Sequence, residues 1–158
     1  MRTFSRIIGM NVMNKTTGNV IGKVTDFCVS EPGQVKGILV DEKGIFNRTK
    51  FLPYENIQGF GDFEVMVVDY QLYPIVKNEQ GQVYFEHYHG LKGKVFLTEE
   101  GNKLGLLDDV YFEEKLGKIV GYEVTDGFFA DITEGKKIVP YPSDLVIGKD
   151  AVVVTVSP

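Results

Sequence analysis

Apolar and polar positions alternate along this chain in short runs. Runs 34–40 (Gln-Val-Lys-Gly-Ile-Leu-Val) and 117–124 (Gly-Lys-Ile-Val-Gly-Tyr-Glu-Val) are rich in β-branched residues and bounded by glycine. Val65–Val68 and Val152–Val156 have the same character. Such runs, about ten residues apart, predict strands of a sandwich or barrel. Two stretches are ambiguous. Ile21, Val24 and Phe27 are three apart, as are Leu104, Leu107 and Val110, a spacing that also suits a helix face. Glycine decides the matter: Gly18 and Gly22 flank the first set, Gly101 and Gly105 the second. Each helix-interior glycine costs ~1 kcal/mol relative to alanine. A bent strand, bulged near Gly22 and Gly105, accounts for the drift in phase. Asn14–Gly18 and Thr98–Gly101 then read as hairpin turns whose glycines supply a positive φ. Pro53-Tyr54-Glu55-Asn56 and Pro142-Ser143-Asp144 read as single helical turns opened by proline.

The pattern is written twice. Gly18-Asn19-Val20-Ile21-Gly22 recurs 83 residues later as Gly101-Asn102-Lys103-Leu104-Gly105. Asp26 recurs as Asp109 and Cys28 as Tyr111, while Gly33 and Gly37 return one residue later as Gly117 and Gly121. Leu52-Pro53-Tyr54 returns as Val139-Pro140-Tyr141, and Gly61 with Val65–Val67 as Gly148 with Val152–Val154. The extra residues of the second copy fall in loops, mostly between Phe129 and Ile138, where insertions cost little. The expected organisation is one repeat in 1–70, a connecting segment 71–87, and a second repeat in 88–158. The connection carries Tyr73, Tyr84 and Phe85. It is too aromatic for a flexible linker and is expected to pack between the repeats. Units of this size have small cores and gain from closing their sheets, so two small β-barrels are expected.

Composition narrows the class. The chain has 158 residues, 43% hydrophobic and 25% charged, values typical of folded domains. One cysteine rules out an internal disulfide. Cys28 is expected to be a small core residue in a reducing compartment. Residues 1–83 carry equal numbers of acidic and basic side chains, so the net charge of −5 belongs to the second half. No basic stripe is present to displace counterions from phosphates, and direct nucleic-acid binding is not expected. The N-terminal stretch lacks the pattern of a signal peptide, and no run is long enough for a membrane helix. A cytoplasmic location is the expectation.

The order of these features resembles the PRC-barrel family. The resemblance rests on Gly-Asn-Val-Ile-Gly-Lys-Val-Thr-Asp (18–26), Leu-Pro-Tyr-Glu-Asn-Ile (52–57), Gly-Asp-Phe-Glu-Val-Met-Val-Val (61–68) and their second copies. It implies an all-β fold of two tandem PRC-type barrels with short helical turns, similar to the small tandem proteins of Gram-positive bacteria. In the photosynthetic reaction-centre H subunit and the ribosome maturation factor RimM, the barrel resembles a docking module rather than an enzyme. The chain lacks the H subunit's membrane helix and RimM's separate RNA-facing domain.

Candidate chemistry is sparse. His87 and His89 stand two apart, and on a strand they would project from one face and grip a metal from one side. No third ligand is visible. Asp26 and Asp109 recur, which points to a turn or barrel-closing hydrogen bond more than to acid–base work. There is no phosphate loop, dinucleotide fingerprint or nucleophile elbow. The loop 125–137 is the most distinctive feature: Phe128 or Phe129, ringed by Asp126, Asp131 and Glu134, would anchor a basic partner. The expectation is therefore a non-enzymatic docking protein that needs no cofactor and binds protein partners, with homo-oligomers allowed. A ribosome- or RNA-associated maturation factor resembling RimM, and a small-ligand or metal binder in the cleft around Tyr73, Tyr84 and His87, are the alternatives.

Overall fold

A computed structural model describes residues 1–44, 48–77, 81–125, 137–140 and 144–155. The all-β class holds. The first repeat contributes β1 (Arg2–Thr3), the short helix α1 (Phe4–Ile7), β2 (Asn11–Asn14), β3 (Val20–Ser30), β4 (Gln34–Glu42), β5 (Thr49–Pro53), β6 (Ile57–Phe60) and β7 (Glu64–Val67). After β8 (Gln82–Tyr84) the second contributes β9 (Val95–Thr98), β10 (Lys103–Glu113), β11 (Lys118–Thr125), β12 (Lys137–Pro140), β13 (Asp144–Ile147) and β14 (Ala151–Thr155). A single 3-10 turn, Tyr54–Asn56, follows Pro53 as expected; 142 and 143 of the second proline turn lie outside the described residues.

The two ambiguous stretches are strands, each bent by repeated bulges. β3 slips register against β2 beside Gly22, and β10 against β9 beside Gly105. A side chain at Gly22 would place its Cβ 2.2 Å from the Asp41 carbonyl oxygen, so the strands pass too closely for any other residue. The hairpin glycines Gly18 and Gly101 sit at φ +71° and +90°. A further slip falls between Val24 and Asp26 in β3, and between Leu107 and Asp109 in β10. A bulge re-aims the side chain beside it. Here it turns two carboxylates inward: Asp26 and Asp109 are the buried charged residues among those described.

Closed barrels were expected, and the ladder departs from that. Among the described residues the strands form one open path, β13-β14-β9-β10-β11-β4-β3-β2-β7-β6, with β5, β8, β12 and β1 branching from it. Among these strands the gap in the first repeat lies between β5 and β6, which the 3-10 turn Tyr54–Asn56 separates, and in the second between β12 and β13; the repeats also exchange strands. The first half of β3 pairs with β2, but its last residues pair with β8: Cys28 opposes Tyr84 and Val29 opposes Val83. The last residues of β10 likewise pair with β1: Tyr111 opposes Thr3 and Phe112 opposes Arg2. The strand leading into each repeat thus lies on the long strand of the other.

The repeats also meet directly and reciprocally. Val35 N–H donates to the Gly117 carbonyl at 2.8 Å, and Ile119 N–H donates to the Gly33 carbonyl at 3.0 Å. Gly33 and Gly117 are repeat-equivalent, as are Val35 and Ile119, so the contact has the self-complementary form of a two-fold interface. One apolar cluster spans both repeats. At its centre Phe4 stacks on Phe27 at 4.0 Å between ring centroids and meets Phe85 and Phe112 at 5.4 Å each. All four rings are fully buried. Cys28 is 2% exposed, a small buried residue beside Leu39 and Tyr84. No helix among the described residues is long and apolar enough to cross a membrane.

Candidate functional site

The inward carboxylates make one feature of interest. Asp26 Oδ1 accepts from Phe27 N–H at 2.8 Å and Glu86 N–H at 3.1 Å. Its Oδ2 accepts from His87 N–H at 2.8 Å, and His87 Nδ1 lies 2.6 Å away. Asp109 repeats the scheme on the other lead: Oδ1 accepts from Val110 N–H at 2.8 Å and Ser5 N–H at 3.2 Å, and Oδ2 accepts from the Ser5 hydroxyl. Each carboxylate thus holds the residue just after the lead's phenylalanine: Ser5 after Phe4, Glu86 after Phe85. α1 has no cap of its own, since Thr3 makes no side-chain cap hydrogen bond. Asp109 supplies it from the other repeat. These aspartates are structural anchors, spent on backbone donors.

The strand reading of His87-Tyr88-His89 is corrected here. These residues form a turn, with Tyr88 at φ +53° and His89 at φ +55°. Two contacts force it. Asp26 draws in the 86 and 87 amides, and Gly90 runs so close that a Cβ there would lie 2.1 Å from the Tyr84 carbonyl oxygen. The alternation that would have aimed both rings to one side is lost. His87 is committed to Asp26, and His89 is exposed. Among the described residues no three His, Cys, Asp or Glu side chains converge as a metal site. Phe128, Phe129, Asp131 and Glu134 lie outside the described residues.

Sequence reasoning named Tyr73 and Tyr84 for a cleft but missed Phe51 and Tyr54, which gather with them. A groove of about 820 Å³ opens where the first repeat meets the segment 73–76 and the turn Lys115–Leu116 of the second. Phe51, Tyr54, Tyr73 and Tyr84 line it, Cys28 and Val35 lie at its floor, and Lys36 and Lys115 stand at its rim. The tyrosine hydroxyls are engaged within the protein: Tyr54 donates to the Glu114 carbonyl, Tyr73 to Gln71 Oε1 at 2.5 Å, and Tyr84 to the Val76 carbonyl at 2.7 Å. Ring faces are what remains to offer. Tyr73, Val76 and Leu116 are exposed there, Leu116 at 73%. Tyr73 reaches the groove because its backbone bridges Phe51 at the edge of β5. His87 does not line it, so the expected cleft of Tyr73, Tyr84 and His87 exists without the histidine.

Two phenols are shifted. Burial, with the carboxylates of Glu113 and Glu114, pushes Tyr54 well above the ordinary range, and burial alone does the same to Tyr122. The Tyr122 hydroxyl is buried without a hydrogen-bond partner. Both phenols favour the neutral form in the folded state. Their contribution to stability is complete below the unfolded value of about 10 and falls as pH rises above it. Tyr122→Phe removes an unsatisfied group and is expected to stabilise the protein by up to about 1 kcal/mol at pH 7. It should also flatten the loss of melting temperature between about pH 9.5 and 11.5. Thermal melts of both chains across that range check this. An equally steep decline in the variant would show that Tyr122 is not held neutral.

Comparison with known proteins agrees with this architecture. The profile of the family described as PRC-barrel domain matches twice, at residues 1–87 and 85–158. A curated protein of Bacillus subtilis (strain 168), "Uncharacterized protein YrrD", is 31% identical over 157 residues, which span 97% of this chain and 87% of that one.

Proposed function

The chain belongs to the PRC-barrel family, with two copies of the domain, and we propose that it is a non-enzymatic docking protein that seats an extended segment of a partner protein in the aromatic groove between its repeats. The observation that carries this is the groove itself. Four aromatic rings are fixed by hydrogen bonds or packing, and exposed Tyr73, Val76 and Leu116 form its lip. Fixed rings lose little conformational entropy on binding, which is why such side chains anchor interfaces. An extended segment suits the site, since aromatic-lined grooves dock preformed, extended polyproline-type chain at low entropic cost. Lys36 and Lys115 outnumber Glu55 among the charged residues lining the groove and favour a segment carrying a carboxylate.

The test is capture from native lysate with the tagged full chain and with its Tyr73→Ser variant, each with and without nuclease. A partner retained through nuclease treatment and weakened at least tenfold by Tyr73→Ser supports the reading. Tyr73 is exposed, so the variant should melt within about 0.5 kcal/mol of the parent. Equal capture by both chains would overturn the groove as the site. Ribosomal proteins released by nuclease would replace the docking reading with the ribonucleoprotein one.

A further inference from the structure

The exchange of lead strands has the form of an interface between two molecules, drawn inside one chain. Lead one (2–7) lies on β10 and gives Ser5 to Asp109 of the second repeat; lead two (82–87) lies on β3 and gives Glu86 to Asp26 of the first; Phe4 and Phe85 enter the core that both repeats share. The equivalent positions agree: Thr3 opposes Tyr111 and Tyr84 opposes Cys28, and Tyr111 is the repeat partner of Cys28. The β4–β11 contact is reciprocal in the same way. Every receiving feature exists twice: a strand edge, a bulge and a buried carboxylate that takes at least two backbone donors.

We propose that the lead site on β10, at Asp109 to Phe112, is a docking surface whose intermolecular partner is residues 2–7 of a second copy of this chain. The site recognises chemistry that any copy carries: an extended pair of residues, a phenylalanine for the shared core, and the next amide for Asp109. Within one chain the lead is tethered, and tethering by a connection of this kind gives an effective concentration on the order of 1 mM. The hinge that would open is short, Ile8 to Met10, with Gly9 at φ +99°. Outside the hinge, where Met10 N–H donates to the Ile7 carbonyl, exchange of an identical element between copies keeps the same contacts, so concentration during folding decides which form results.

The test uses register partners as reporters. In a Cys28→Ala background, one chain carries Thr3→Cys and another Tyr111→Cys; a third carries both. The two single variants are unfolded, mixed, refolded together and oxidised. A covalent pair of chains linked through positions 3 and 111 is the expected product. Its yield should be comparable to the unlinked chains after refolding at about 1 mM and roughly a hundredfold lower at about 10 μM. No linked pair at the higher concentration, while the double variant closes its disulfide within one chain, would overturn the proposal. Failure of the double variant to close would overturn the lead pairing itself. The result is independent of whether the aromatic groove holds a partner.

Discussion

Replacing Asp26 with alanine is expected to cost about 3–5 kcal/mol, enough to unfold a domain of ordinary stability. The carboxylate is fully buried and takes the amides of Phe27, Glu86 and His87, with the His87 ring beside it. Alanine fills none of these roles. It leaves three amide donors without their acceptor, that of Phe27 buried and those of Glu86 and His87 part-buried, at up to about 1–3 kcal/mol each before relaxation. Relaxation means release of the 85–89 turn, which Tyr88 and His89 hold at positive φ. Urea denaturation measures the loss, and hydrogen exchange at the 86 and 87 amides should show it locally. Asp26→Asn keeps one acceptor oxygen and sets an NH2 against the remaining donors, so it should lose a large part of the same energy. Asp109→Ala should cost less, since Asp109 holds two backbone amides where Asp26 holds three. If both variants lost only a few tenths of a kcal/mol, the carboxylates would not be anchors.

Phe4→Ala is expected to cost about 3–5 kcal/mol, the usual range for emptying a buried phenylalanine site. Its particular mark should be cooperativity. Phe4 belongs to the first repeat by sequence, yet it packs on Phe27 of the first, Phe112 of the second and Phe85 of the second lead. A cavity there weakens both repeats together. Thermal melts followed by tyrosine absorbance and by far-ultraviolet circular dichroism should shift as one transition. A melt that split in two, with the second repeat unaffected, would show two separate cores.

Much of this fold was readable in the residues. The doubled glycine spacing located both long strands, and glycine at 22 and 105 argued correctly for bent strands against a helix. The hairpins at Gly18 and Gly101 and the turn after Pro53 followed from local chemistry, because a positive φ or a fixed φ is a property of the residue itself. The family resemblance followed from the same positions. The recurrence of Asp26 as Asp109 pointed to a hydrogen bond, although not to its partner.

The exchange of leads was less legible, although one signal was present. Phe4 stands five residues before Gly9, and Phe85 five before Gly90. That correspondence marks the two leads as copies, but at a spacing of 81 rather than 83, and it lies outside the stronger matches. Even if noticed, it would not say which repeat each lead completes. His87 and His89 failed for a related reason. Alternation predicts a shared face only on a strand, and a carboxylate 61 residues away turned their segment into a loop. The aromatic groove is built from β4, β5, the segment 73–76 and a turn of the other repeat, pieces with no common local pattern.

The sequence by itself therefore determined the elements: which stretches are strands, where they bend, where they turn, and that the set occurs twice. These depend on interactions within a few residues. Only the tertiary structure decided which strand edge each lead occupies, which aromatic faces remain open, and that two repeats share one core. Those choices compare burial and hydrogen bonding across 60 to 110 residues of chain, and no local preference carries that comparison.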